Sequence, residues 1–182
     1  LDATARVSVF HAVSTCGKYD NRKEYVRMSR FYTVQFNAVT ATAAQDLFNI
    51  AATSGMAFKL HQLELGADNQ TAVGEVRISI KRLTATVTNG TGGSSATIVP
   101  LLSTDSAATI TGRTNDATTR ASTSGSTSLL FELGWNLLNG LIFVPAPEYR
   151  PSFAISQNLL IGLETAPSSA IIDGYVILEE AF

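Results

Sequence analysis

The chain has 182 residues and a formal net charge of −2, about one domain's length and enough to bury a full core without staples. Hydrophobic residues make up 45% and charged residues 15%, against the roughly 25% charged usual in soluble domains, and Thr, Ser, Ala, Gly and Asn fill the difference. This excludes a disordered chain, which is poor in hydrophobic residues. It suits a β-protein whose surface is partly covered by neighbouring chains.

No apolar run approaches the ~18 residues that span a membrane. Ser8, His11 and Ser14 interrupt any signal-peptide core, so synthesis in a cytoplasm is expected. Cys16 is the single cysteine, which excludes an internal disulfide framework and a cysteine metal site. Asn69-Gln-Thr71 and Asn89-Gly-Thr91 fit the glycosylation triplet, and without a secretion signal they read as chance matches in a Thr-rich chain.

Residues 1–27 have weak periodicity and read as an extended N-terminal arm. Residues 1–30 carry six basic against three acidic residues, and residues 31–182 carry seven against twelve. A basic arm on an acidic body offers nucleic acid few phosphate contacts, and docking on an acidic neighbouring subunit is the simpler reading. Lys23-Glu24 can be encoded AAGGAG, and Met28 follows after three intervening codons, the layout of a bacterial ribosome-binding site ahead of a start codon. Two readings of residues 1–27 therefore stand side by side: a true arm, or leader and untranslated sequence before a domain spanning 28–182.

From Ser29 onward, strand patterns arrive at short, regular spacing. Arg30–Asn37 alternates Phe31, Thr33 and Gln35 against Tyr32, Val34 and Phe36. Leu47–Ala51 is a short apolar run. Thr42–Ile50, the best helical candidate, reads equally well as a turn entering that strand. Ala57–Leu65 places Phe58, Leu60, Gln62 and Glu64 on one face and Lys59, His61, Leu63 and Leu65 on the other. Val73–Val87 alternates Val76, Ile78 and Ile80 with Arg77, Ser79 and Lys81, as a half-buried antiparallel strand does. Thr97–Leu102, Leu129–Trp135, Leu141–Val144, Leu159–Glu164 and Asp173–Glu179 follow. About eight to nine antiparallel strands with both short turns and long crossing loops predict an all-β, single jelly-roll-like β-sandwich. An up-and-down barrel is disfavoured by the long central loops.

Asn89–Ala96 is rich in Gly and Ser and is expected to be flexible. Ser103–Ser128 is a long Ser/Thr/Ala tract, with a short strand expected at Ala107–Thr111; in an assembly it is expected to lie across a neighbouring subunit. Pro145, Pro147 and Pro151 are expected to hold their segment extended and to forbid helix. Pro147, Tyr149 and Arg150 are candidate subunit-contact residues on this rigid corner, since Tyr and Arg are enriched at interface hot spots.

Catalytic chemistry finds little support. Ser94-Ser95-Ala96 follows the glycines where a phosphate-binding loop needs Lys and then Ser or Thr. A hydrolytic base must be His11 or His61, and a mid-strand His61 satisfied by a neighbour is the expected state. No Gly-x-Ser-x-Gly elbow occurs; Ser124-Gly-Ser126 lies in the polar tract. Most of Glu64, Glu75, Glu132, Glu148, Glu164, Glu179 and Glu180 are expected as solvated residues at strand ends. Glu179-Glu180 would blunt an edge, and no aromatic-lined cleft accompanies Trp135, the single tryptophan. Asp68-Asn69 and Asn115-Asp116 read as turn chemistry. Arg77, Lys81 and Arg82 form a small basic stripe that nothing extends toward a nucleic-acid surface, so it reads as a subunit contact or a solvated face. No catalytic residue, cofactor or metal is expected.

From Met28 onward the chain resembles a family of small proteins encoded in tailed bacteriophage and prophage genomes. The resemblance covers residues 28–182. It rests on Ser29-Arg-Phe-Tyr-Thr33, the segments 39–48, 59–66 and 76–82, the Gly90–Ser95 loop, Asn115–Ser122 and Pro145–Pro151. The family's glycine loop usually leads to a proline-rich stretch, of which Pro100 alone remains here. The resemblance implies a virion or virion-module protein with no known catalytic residues. The expected function is a capsid decoration or cement protein, located in the virion, with the major capsid protein as partner and a homo-oligomer, most simply a trimer. A tail-fibre or receptor- and glycan-binding module is the alternative, with Ser103–Ser128 as recognition loop. Neither a membrane nor nucleic acid is expected as a partner.

Overall fold

The structure, a computed structural model, describes residues 29–53, 55–68 and 74–181. The expected arm at 1–27, with His11 and Cys16, and the Asn69-Gln-Thr71 triplet lie outside the described residues. Fourteen strands follow in order: β1 Arg30–Ala41, β2 Gln45–Ala51, β3 Ala57–Asp68, β4 Glu75–Thr84, β5 Val87–Thr88, β6 Ser94–Ser95, β7 Ile98–Pro100, β8 Thr111–Asp116, β9 Ser122–Thr123, β10 Thr127–Asn136, β11 Leu141–Phe143, β12 Ser152–Phe153, β13 Gln157–Leu163 and β14 Ala170–Ala181. No helix among the described residues is long and apolar enough to cross a membrane.

The pairing is nested. β1 pairs with β14, β2 with β13, β3 with β11 and β12, and β4 with β10, all antiparallel. Successive pairs alternate between two sheets, ordered β11-β3-β14-β1-β7 (with β12 also on β3) and β10-β4-β13-β2-β8-β6. A long antiparallel ribbon rolled so that its pairs alternate between two layers is a jelly roll. All nine strands expected from the sequence are present. The ribbon's tip, between β4 and β10, is an insertion spanning residues 85–126. It adds β7 beside β1 and β8 and β6 beside β2, so it extends both sheets on the same side.

The core lies between the sheets, where inward residues of alternating strands meet. Val34, Leu63, Leu65, Val176 and Leu178 face Phe48, Ile50, Ile78, Ile80, Leu159 and Ile161, all fully buried. Phe58 stacks on Phe153 with centroids 4.9 Å apart, and Phe36 tilts against Phe48 at 5.1 Å. Each such ring contributes about 1.5–3 kcal/mol by burial.

Three local expectations change. In β3 the alternation is not continuous: Phe58, Leu60, Leu63 and Leu65 are all buried, because His61 is an extra residue between the pairs Leu60↔Leu178 and Gln62↔Ile177. This β-bulge moves the strand's second half to the opposite phase. The strand expected at Ala107–Thr111 lies instead at Thr111–Asp116, because Glu180 takes the N–H groups of Thr109 (2.6 Å) and Ile110 (3.0 Å) out of strand pairing. Pro147–Tyr149 forms one 3-10 turn where an extended segment was expected. Proline is tolerated at the first position of a turn, where its missing N–H has no partner to lose.

Gly174 sits on β14 opposite Phe36, and a Cβ there would lie 2.6 Å from Leu65 Cδ2 and 3.1 Å from the Phe36 ring. Gly174→Ala is expected to destabilise the fold by about 1–3 kcal/mol through overpacking, lowering the thermal midpoint by about 2–4 °C per kcal/mol. Gly134→Ala on β10, where nothing lies within 4 Å, is expected to leave the midpoint unchanged. Thermal melts followed by circular dichroism check both.

Candidate functional site

The insertion is not a free loop. Its segments fold over the outer face of the β2–β13–β4 sheet and are held by buried charge. Arg120 Nε donates to Asp46 Oδ1 at 2.7 Å, and its two terminal nitrogens each donate to Glu164 at 2.8 Å. The Ala121 N–H donates to Asp46 Oδ2 at 2.6 Å, and Lys81 Nζ and Ser79 Oγ also donate to Glu164. Gly162 lies beneath the guanidinium, and a Cβ there would collide with Arg120 Nη2. Arg120 and its hydrogen-bonding neighbours Lys81 and Ser79 hold the Glu164 carboxyl well below its usual range, against the opposing effect of burial. Burial dominates at Asp46 and pushes its carboxyl up, although the Ala121 N–H and Arg120 oppose this.

Further contacts hold the rest of the insertion. Glu180, fully buried, accepts from Thr109 and Ile110, and Tyr32 Oη donates to the Ser106 carbonyl at 3.1 Å. Thr91 and Thr119 form a bridge, and Asn49 links Asn89 (3.0 Å) to Asn158 (2.8 Å). The glycine loop is therefore fixed rather than flexible. A Cβ on Gly90 would lie 2.7 Å from Asp116 Cβ, and Gly92 takes φ +92°. The tract packs in part on its own sheet, through residues such as Arg120, Thr109 and Ile110, while much of it stays exposed. Glu180 also departs from expectation: it lies on a strand paired on both sides and anchors the insertion, leaving no edge for it to blunt.

The expected basic stripe does not form. Arg77 is exposed and pairs with Glu132 at 3.0 Å, and Lys81 is tied to Glu164 at 2.7 Å beneath the insertion. Arg82 shares the inward phase of Ile78 and Ile80. Its guanidinium lies 5.5 Å from the centroid of Phe153 and donates to the Ser152 carbonyl at 2.8 Å, bridging the two sheets. His61 Nε2 donates to the Glu179 carboxylate oxygen Oε2 at 2.6 Å, with Phe31 edge-on at 4.9 Å. Burial disfavours the Glu179 carboxylate, but hydrogen bonds from Ser29 and His61 outweigh it and hold its pKa below the usual range. The carboxylate thus stands between Ser29 and the His61 imidazole. Among the described residues no group of three or more His, Cys, Asp or Glu is placed to hold a metal.

Both sides of the sandwich end in terminal strands, and the larger exposed apolar group lies on one of them. The insertion extends both sheets beside β1 and β2, whereas β10 and β11 end the two sheets on the opposite side. These two strands are joined by a short turn, and Phe131 and Phe143 pack between them at 4.9 Å. Leu129 on β10, Leu138 on the turn (57% exposed), Ile142 on β11 (64%), and Val144 and Tyr149 (73%) just beyond all point to solvent. Pro147 and Tyr149 are exposed on this margin, while Arg150 is half-buried with its Nε unpaired. Val99, Leu101 and Leu102 form a second exposed apolar group, on and after β7 at the opposite edge.

The sequence reading missed Arg120, Asp46 and Glu164 as a unit. One signal was available: Asp46 is the single charge between Arg30 and Lys59, next to an apolar run, and Arg120 is one of only four charged residues in the Ser103–Ser128 tract.

Arg120→Met is expected to cost about 3–5 kcal/mol, because it leaves Asp46 buried without its cation, and to speed amide exchange at residues 117–126. The acid response follows from the direction of the Glu164 shift. Its lowered pKa supplies stability above the unfolded carboxyl value of about 4.3, and that stability is lost as pH falls toward the folded value. Asp46, shifted upward, acts in the opposite sense. Denaturant unfolding from pH 7 to 2 should show the wild-type acid limb steeper than that of Glu164→Gln.

Comparison with protein-family models, with curated proteins and with solved structures found no match.

Proposed function

We propose that this chain is a non-enzymatic virion protein of a tailed bacteriophage, a decoration or cement protein that stabilises the head shell through contacts with the major capsid protein. The observation that carries the reading is the asymmetry of the sandwich. One side is built out by the chain's own pinned insertion and ends in the short strands β7 and β6, and the other ends in β10 and β11 with the larger exposed apolar group, Leu129, Leu138, Ile142 and Tyr149. An unpaired apolar edge invites pairing and aggregation unless a partner covers it. The resemblance of residues 28–182 to phage-encoded proteins supports the identity of that partner.

The second apolar group, Val99, Leu101 and Leu102, supports self-association as well. Two different apolar surfaces on opposite edges suit a head-to-tail contact, which closes into a ring, most simply a trimer. Such an oligomer would leave part of its surface for the shell. The alternative reading is a tail-fibre or receptor-binding module, with the exposed part of Ser103–Ser128 as its recognition loop. A polar groove beside β1, described below, is the observation in its favour.

Purified protein added to capsids that lack it is expected to bind saturably. Ile142→Glu and Tyr149→Ala are expected to weaken that binding or the oligomer about tenfold or more, consistent with loss of a hot-spot contact. Both positions are exposed, so thermal midpoints should not move. Light scattering on a sizing column and capsid co-sedimentation provide the readouts. Binding to cells or glycans without affinity for the shell would favour the alternative, and substrate turnover lost in His61→Ala would overturn both.

A further inference from the structure

The far end of β1 carries a feature that the open edge does not use. Asn37 and Ala38 together oppose the single residue Asp173 on β14, a bulge in which Ala38 takes φ 53° and donates its N–H to Asp173 Oδ1 at 2.5 Å. A bulge bends its strand and re-aims the neighbouring side chains. On either side of Gln35 and Asn37 lies a groove: one of about 400 Å³ reaches Ser95, Thr97 and Asn115, and one of about 330 Å³ reaches Asp173 and Tyr175.

The walls combine amides and hydroxyls with apolar surface from Phe36 in both grooves and from Val39 and Ala96 in the larger one, and no Lys, Arg or His lines either groove. The one carboxylate, Asp173, already accepts from Ala38. An anion would find no cation here, and an apolar ligand would leave the amides unpaired. A neutral polyhydroxylated ligand fits, because each hydroxyl can donate to an amide oxygen and accept from an amide N–H.

Asn115 strengthens the case. It takes φ 60°, lines the larger groove, and its Oδ1 is shut off from solvent with no donor reaching it. Turning that amide into the groove would give the acceptor a hydroxyl partner. Beside the smaller groove, Tyr175 Oη is fixed by Gln62 (2.9 Å) and Glu64 (2.5 Å), so its ring is held in place as an apolar wall.

We propose that this paired groove binds a neutral saccharide, with Gln35, Asn37 and Asn115 as hydrogen-bonding residues and Tyr175 as the apolar wall. Concave sites with a few convergent polar groups are where such ligands bind. The proposal does not depend on shell binding, and either can fail alone, because the groove and the open edge involve different residues.

The test is an amide NMR titration of the isotope-labelled full chain with chitohexaose, maltohexaose and cellohexaose, and with a heparin hexasaccharide as the anionic probe. At least one neutral sugar is expected to move the side-chain amide signals of Gln35, Asn37 and Asn115, with a Kd on the order of 1 mM or tighter. Heparin is expected to move none of them. Asn37→Ala and Asn115→Gly, the latter suited to the positive φ, should each weaken binding about tenfold, the loss of one hydrogen bond. Both variants should keep the wild-type thermal midpoint. The proposal is overturned if no neutral hexasaccharide moves these signals at about 10 mM, if the shifts fall elsewhere, if heparin binds equally well, or if both variants bind as the wild type does.

Discussion

Arg120 fixes the shape of this molecule more than any other single side chain. Its guanidinium is clamped between Asp46 on β2 and Glu164 just past the end of the neighbouring β13. A carboxylate as buried as Asp46 is tolerable only with its partner in place. The position of residues 117–126 therefore follows from electrostatic necessity rather than from apolar packing. Once that segment is set, β8 and β6 extend one sheet, β7 extends the other, and the β1–β2 side of the sandwich is built out.

This extension gives the protein two unlike sides. A jelly roll with two bare edges would have two equivalent surfaces for strand pairing. Here one side is extended by the insertion as far as β7 and β6, with Val99, Leu101 and Leu102 exposed, and the other keeps β10 and β11 with a different set of apolar side chains in water. Polarity of that kind favours a directional contact over a symmetrical one, which is how a ring or a shell-bound array is built. The low charge of the chain acquires a physical reason as well. Part of its small polar surface packs on its own outer sheet, where Ser, Thr and Gly allow the close approach seen at Gly90 and Gly162.

Much of the fold was legible in the sequence, and the reasons can be given residue by residue. Val76, Ile78 and Ile80 alternate with Arg77, Ser79 and Lys81 because one face of β4 must be dry, and that period survives translation into structure unchanged. His61 shows where periodicity misleads. FKLHQLEL reads as continuous alternation, yet a bulged residue shifts the phase, and only the pairing with β14 reveals it. Arg82 misleads in the same way: it looks like the end of a basic stripe, but its position places it under Phe153. Of the expected contact residues, Pro147 and Tyr149 are exposed as their rigid segment implied, whereas Lys81 is committed to Glu164.

The sequence by itself determined the long strands and their order along the chain, and the inward faces wherever no bulge intervenes, because these depend on local alternation and on turn residues within a few positions. Tertiary structure decided the rest: which strands pair, where the bulges fall, that part of a tract of Ser and Thr lies over its own sheet, and that Asn37, Asn115 and Tyr175 border adjoining grooves. Those facts come from contacts between residues tens of positions apart, such as Arg120 with Asp46. No local pattern encodes them, since a lone arginine specifies only that it needs a carboxylate and not which one.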